Sequence, residues 1–292
     1  MHELKGPEDA RKTVEFWADQ GVTSFKAFVH MTRAELAAVI ETAHKRGPKV
    51  TGHLCSITYR EAAIDDIEHG FALATDFNPD KKADSCPPRT AQSRAAYLNL
   101  NPSSTQVQDL FRILIQHHVA VTSTLPVSEA YTSDRPPLQQ RVLDVMSPQA
   151  QAGYLAQRVE EENGDAGLKK EMELERAFVK AGGLLLAGPD PTGIGGVVAG
   201  FGDQREVELL VEAGFTPLEA IHIATSNGAQ FLGEPDHIGT LVPGKQADLV
   251  VIRGNPSTNI NDIENVEMVF KDGVGYDSAK LIESVRGQVG LR

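Results

Sequence analysis

Several things are scarce in this chain of 292 residues, and each scarcity excludes something. The two cysteines, Cys55 and Cys86, are too few for a disulfide framework and are not spaced as a CxxC metal pair. No apolar run approaches the roughly 18 residues that a membrane-crossing helix needs. The opening MHELKGPEDARKTVEFW has no signal-peptide pattern and enters a helix almost at once. The compartment stays open, with the cytoplasm as the default. Positive charge is also short: 28 Lys and Arg against 40 Asp and Glu leave 28 − 40 = −12. Such a surface repels nucleic acid and anionic membranes, so neither is expected as a partner. The glycines of PTGIGGVVAGFG make no phosphate loop, because no Lys-Ser/Thr follows; a mobile loop is expected there instead.

What is present is enough apolar residue, 41%, to bury a sizeable core. The first half alternates helix and strand. Pro7 suits the first turn of a helix that Gly21 ends. VTSFKAFV (residues 22–29) follows as a strand, and Thr32 with Glu35 forms a capping box for the next helix. KVTGHL is a second strand, Thr58 and Glu61 repeat the capping box, and DIEHG is a third strand. VAVTSTL and GLLLAGPD complete a set of five, each preceded by a helical pattern. This spacing predicts parallel βαβ units, though five strands are too few to close an eight-stranded barrel. Beyond Asp236 the pattern turns all-β, with a strand at residues 247–252 and a hairpin around Asp272-Gly273.

Alternation along the strands sorts their side chains. In the first strand Phe25, Ala27 and Val29 belong under the helices, leaving Ser24, Lys26 and Phe28 inward. In the second, Val50, Gly52 and Leu54 face out, and Thr51 and His53 face in. His69 closes the third strand, and Asp190 lies just beyond the fifth. A single histidine at a strand end is more often structural than a ligand. Lys26, His53, His69 and Asp190 together favour a site, because chemistry in βα barrels gathers at the carboxyl ends of the strands. Imidazole and carboxylate are ordinary zinc ligands. An inward lysine either snorkels its ammonium to the rim or sits desolvated, where the neutral amine is favoured and captures CO2 as a carbamate.

FKAF, VTGHL, DIEHG and LLLAGPDPTG resemble strands four, five, six and eight of the metal-dependent amidohydrolase superfamily, in its imidazolonepropionase-like and Xaa-Pro dipeptidase-like branch. GFTPLEAIHIATSNGAQFLGEPDHIGTLVPGKQADLVVIRGNP resembles that family's closing helix and its return into a small β-sandwich. The resemblance implies an α/β fold: a partial (β/α)8 TIM barrel, strands four to eight, over residues 1–233. A C-terminal β-sandwich segment and tail would fill 234–292. It further implies that Lys26 is a carbamate bridging two metals and that His53 and His69 bind the more exposed metal. Asp190 would bind the buried metal and act as catalytic general base.

One feature of that family is missing, since no His-x-His pair occurs anywhere in the chain. The pair His117-His118 precedes its strand, at the wrong end for chemistry, and reads as structural. The resemblance therefore implies the C-terminal portion of an amidohydrolase, truncated relative to the family. That portion would cleave amide, peptide or cyclic-amide C–N bonds of a small or dipeptide-like substrate with zinc, its activity impaired. One metal is expected here, and two only in a complete enzyme. The alternative is a non-catalytic remnant or half-barrel that assembles with a separate N-terminal polypeptide, or with itself as a homo-oligomer. Other residues are weighed more lightly. His30, Asp76 and Glu129 follow strands and could touch substrate. Cys55 is either a soft extra ligand or a small buried hydrophobe. Glu68, out of phase with His69, reads as structural.

Overall fold

The computed structural model describes residues 3–160, 164–191 and 196–290. The chain forms two compact units, unit 1 from Met1–Thr122 with Glu173–Leu185, and unit 2 from Ser123–Met172 with Leu186–Arg292. In chain order the first elements are α1 (Pro7–Asp19), β1 (Ser24–Ala27), α2 (Arg33–Arg46), β2 (Lys49–Gly52) and β3 (Asp66–Glu68). Next come α3 (Ala91–Leu98), α4 (Thr105–Gln116), β4 (Ala120–Ser123), α5 (Leu125–Ala130) and α6 (Gln140–Leu143). They are followed by α7 (Pro148–Glu160), α8 (Ala166–Lys180), β5 (Leu185–Ala187), α9 (Phe201–Glu212), α10 (Pro217–His222) and α11 (Gly228–Leu232). The last are β6 (Leu249–Ile252), β7 (Val266–Lys271), β8 (Val274–Asp277) and α12 (Ser278–Ser284).

Local chemistry accounts for the boundaries in unit 1. The Thr32 side chain accepts from the Glu35 N–H at 3.3 Å, while Glu35 accepts from the Thr32 N–H at 2.9 Å, so two orphan donors of α2 are satisfied. Gly47 ends α2 in the left-handed conformation, φ 96°, after a basic last turn of His44, Lys45 and Arg46. Thr58 and Glu61 repeat the box, but on a single 3-10 turn rather than a longer helix.

The strands β1 to β5 form one sheet in sequence order, and the described pairings from β1 to β4 are parallel. Under it, Phe71, Phe111 and Phe178 make an aromatic cluster with ring centroids 5.1–5.5 Å apart. Val50, Leu54, Ile67 and Leu110 are buried in the same unit. The predicted alternation holds: Val50, Gly52 and Leu54 are buried, and Thr51 and His53 are on the other, half-buried face.

Cys55 and Cys86 depart from the expectation, because they form a disulfide. Cys55 follows β2, Cys86 lies in the long segment between β3 and α3, and their Cα atoms are 5.0 Å apart. The same segment is tied to the stretch after β2 by the Lys81 Nζ, which donates to the Ser56 carbonyl at 2.7 Å. A count of cysteines carries no such information. In the chain-entropy picture, closing a loop of 31 residues stabilises the fold by about 3–4 kcal/mol.

In unit 2 the predicted hairpin is present. β6, β7 and β8 form an antiparallel sheet, turned at Asp272 and Gly273, both with positive φ (52° and 78°). Val142, Val145, Met146, Tyr154 and Val198 make a second apolar core. Among the described residues no helix is long and apolar enough to cross a membrane. Residues 192–195 of the glycine-rich stretch, expected to be mobile, lie outside the described residues.

Candidate functional site

Parallel register places a row of polar side chains on one face of the sheet in unit 1. Lys26 of β1 is opposite Thr51 of β2, and Thr51 is opposite Asp66 of β3. Glu68 shares the parity of Asp66 and therefore joins the row. Its carboxylate meets the Lys26 Nζ at 2.5 Å and accepts the Thr51 hydroxyl at 2.7 Å. The Thr122 hydroxyl of β4 donates to the Asp66 carboxylate at 2.9 Å. Burial pushes the Asp66 carboxyl up to about 7, a shift that the Thr122 hydrogen bond opposes.

His53 follows β2, its N–H donating to the Ala27 carbonyl at 3.1 Å. Its ring lies between Phe28, 4.9 Å away, and His69, 4.5 Å away, both edge-on. His69 reaches this place by leaving the strand. Continued alternation would turn it from the face of Glu68, but its φ of 68°, followed by Gly70 at 57°, redirects it. A left-handed non-glycine residue carries roughly 1–2 kcal/mol of strain, and such strain gathers at functional sites. Its surroundings hold it there. The Gly70 N–H donates to the Thr122 carbonyl at 3.0 Å, the Tyr59 hydroxyl donates to the Gly70 carbonyl at 3.0 Å, and Phe71 enters the aromatic cluster.

Asp190 belongs to unit 2. It stands three residues past β5 and is also left-handed, with φ 44°. Of the residues predicted for the site, the structure thus brings His53 and His69 into contact and leads Lys26 to Glu68.

The donor set bears on metal binding. Two imidazoles this close can converge on one divalent ion. Lys26 differs from the expectation: its side chain is 47% exposed and sits in an ion pair with Glu68. Its Nζ is engaged by the Glu68 carboxylate and would have to leave it to take up CO2. Among the described residues no group of three or more His, Cys, Asp or Glu side chains is placed to hold a metal. The two histidines supply two of the three protein ligands that an open catalytic zinc site uses, and the Lys26 Nζ is engaged by Glu68.

The remaining candidates take structural places. His117 caps α4 and His118 follows at φ 56°, ahead of β4 as expected. Asp76 accepts from the Tyr59 and Arg60 N–H groups at 2.8 and 3.2 Å and from Arg60 Nε at 2.9 Å. In unit 2, Glu129 is clasped by Arg135 and Arg205. Cys55 is spent in its disulfide and is not a ligand. Glu68 is the residue that sequence reasoning undervalued, and strand register against Thr51 was the signal that could have found it.

A profile of the amidohydrolase family matches residues 6–275. The chain belongs to the amidohydrolase family. Members of this family generally use divalent metals. In three dimensions the chain is similar to bottromycin amidohydrolase, with a TM-score of 0.67 at 21% identity over 97% of this chain and 61% of that one. It is similar to a putative prolidase from Bifidobacterium longum, with 0.62 at 23% over 98% and 65%. A Xaa-Pro dipeptidase with methionine bound in its active site gives 0.60 at 20% over 94% and 59%. By sequence, 71 residues are 34% identical to adenine deaminase 2 of Jannaschia sp. (strain CCS1), 24% of this chain and 11% of that protein. The chain spans about three fifths of the length of these structural relatives, and at such identities the structural likeness is one of fold.

Proposed function

We propose that this chain is the barrel portion of a metal-dependent hydrolase of carbon–nitrogen bonds in amides, peptides or cyclic amides. The observation that carries the reading is the approach of His53 and His69 to 4.5 Å, with His69 held in a left-handed backbone. In this reading the five strands are a consecutive arc of a (β/α)8 barrel within residues 1–233, and 234–292 are a β-sandwich segment. The unreversed strand order supports it, since a doubly wound sheet would reverse direction at a switch point.

His53 and His69 would hold zinc, and Lys26, as a carbamate, would supply an oxygen donor after parting from Glu68. A bound divalent ion polarises a scissile carbonyl and lowers the pKa of water. By the family resemblance, Asp190 would act as the general base, taking a proton from water and passing it to the leaving nitrogen. The half-buried Glu68 keeps Lys26 at the sheet face. A dipeptide-like substrate is favoured by the names of the prolidase and dipeptidase relatives.

The test is hydrolysis of a panel of Xaa-Pro dipeptides and N-acyl amino acids with zinc supplied. Turnover that is lost in His69→Ala and in Asp190→Asn supports the proposal. Turnover indifferent to both substitutions contradicts it.

A second reading, a half-barrel that pairs with another polypeptide or with its own copy, has its own observation. β1 is an edge strand, and α1 exposes Phe16 at 58% and Trp17 at 48%. Light scattering decides it: a monomer that hydrolyses dipeptides excludes this reading, and a stable dimer without turnover favours it.

A further inference from the structure

The segments that follow β2 and β3 in unit 1 are tied to each other by contacts of unequal strength. Near β3, residues 71–81 are held by groups with little exposure. Asp76 accepts from Tyr59 and Arg60, and the Thr75 hydroxyl donates to the Cys55 carbonyl at 3.2 Å. The Lys81 ammonium donates to the Ser56 carbonyl at 2.7 Å. Further out, Lys82, Ala83, Asp84 and Ser85 are exposed, as are Pro88, Arg89 and Thr90. Asp84, with φ 51°, meets Arg33 through exposed ionic contacts, one of them from Arg33 Nε at 3.2 Å. Exposed ion pairs of this kind hold a chain weakly. The strong tether of this outer stretch is the Cys55–Cys86 disulfide.

That tether ends two residues from His53. His53 is packed by Phe28 and His69, and its own segment is bonded to β1 through His53 N–H to Ala27 and Ser56 N–H to Val29, at 3.1 and 2.9 Å. His69 has supports of its own in Tyr59, Thr122 and the Phe71 cluster. Both cysteines are half-buried, so a small thiol can reach the bond.

We propose that the Cys55–Cys86 disulfide is a redox-responsive staple: closed, it fastens residues 82–90 and positions His53; open, it frees both while leaving His69 in place. The opening step is ordinary exchange. A thiolate of a dithiol reductant attacks one sulfur, giving a mixed disulfide, and the second thiol displaces it and leaves as a cyclic disulfide. Two electrons and two protons pass from the dithiol to Cys55 and Cys86, which end as thiols. The consequence for chemistry rests on the role given to His53 above, whereas the staple itself does not.

The experiment compares the oxidised protein with the same protein treated with dithiothreitol, after peptide mapping has verified each state. Trypsin cleavage after Lys82 and Arg89 is expected to accelerate about tenfold or more on reduction, because a locally held segment becomes open. Cys86→Ser should cleave at the faster rate without reductant, and Cys55→Ala/Cys86→Ala should be indifferent to it. In NMR spectra the His53 imidazole resonances should move on reduction, whereas the Gly70 amide, bonded to the Thr122 carbonyl, should stay. Verified reduction with unchanged cleavage and an unmoved His53 overturns the proposal. So does finding two free thiols in protein oxidised in air. If Cys86→Ser fails to fold, the two states of the wild-type chain still decide. None of these readouts needs metal or substrate, so their failure leaves the hydrolase reading standing.

Discussion

His69 of unit 1 and Glu129 of unit 2 each follow a parallel strand, β3 and β4, and their neighbours differ in kind. Around His69 the supports are neutral: a backbone N–H to Thr122, a tyrosine hydroxyl, and the buried ring of Phe71. Around Glu129 they are ionic. Arg135 Nε lies 2.9 Å away, Arg205 contributes Nε and Nη2 at 2.9 and 2.8 Å, and each arginine continues to a further glutamate. Burial pushes the Glu129 carboxyl up, but the two guanidinium groups outweigh it and hold the carboxyl below its usual range. A cavity of about 150 Å³ beside this network, lined also by Tyr154 and Phe201, faces charges that are already paired. The comparison teaches how each segment is held. Charges that neutralise one another hold the Glu129 segment, whereas backbone hydrogen bonds and aromatic packing hold the segment that carries His69.

The widest break in this comparison should come from the aromatic side. Phe71→Ala empties the centre of a fully buried cluster and should cost about 3–5 kcal/mol in denaturant unfolding. His69 should lose its fixed position with it. On the ionic side, Arg205→Ala takes the cation from Glu208 and leaves Glu129 with Arg135 alone. A third of the arginine side chain, 34%, is exposed, so solvent moderates the loss to about 2–3 kcal/mol. Thermal melting checks this, and Glu129→Gln combined with Arg205→Met should recover part of it.

Glu206, on α9, sharpens the contrast because it is buried without that compensation, and burial pushes its carboxyl up to about 8. The folded value is above the unfolded one, so the native state keeps a proton that the unfolded chain releases. Stability from this group is full below about pH 4.5 and falls as pH rises toward 8. Glu206→Gln should flatten that decline by about 3–4 kcal/mol between pH 5 and 8 in urea titrations. The smallest effect belongs to Lys26. Glu68→Gln removes a half-exposed ion pair and should change stability by less than about 1 kcal/mol. An unchanged melt would agree with that, whereas a loss of several kcal/mol would mark Lys26 as a buried structural charge.

Much of this was legible before any coordinates. The capping box at Thr32 and Glu35, the glycine stop at Gly47, the alternation through Val50 to Leu54 and the Asp272-Gly273 hairpin all rest on local rules. Those rules see neighbours in sequence, and the parts they missed depend on neighbours in space. Strict alternation separates His69 from the interior face, and only the left-handed backbone at that residue reverses it. Glu68 looked structural because its partner, Lys26, is two strands away. Cys55 and Cys86 meet because the long segment after β3 folds back on the residues after β2. One strand leaves Lys26 open between a snorkelling ammonium and a desolvated amine, and its contact with Glu68 is visible only across the sheet.

The central claim is that His53 and His69 form a metal-binding pair. The most direct measurement is zinc content by elemental analysis after equilibration with zinc and desalting, for the wild-type chain and for His53→Ala/His69→Ala. The account predicts about one zinc per wild-type chain and essentially none in the double variant. Equal zinc in both proteins, or none in the wild type, would contradict it.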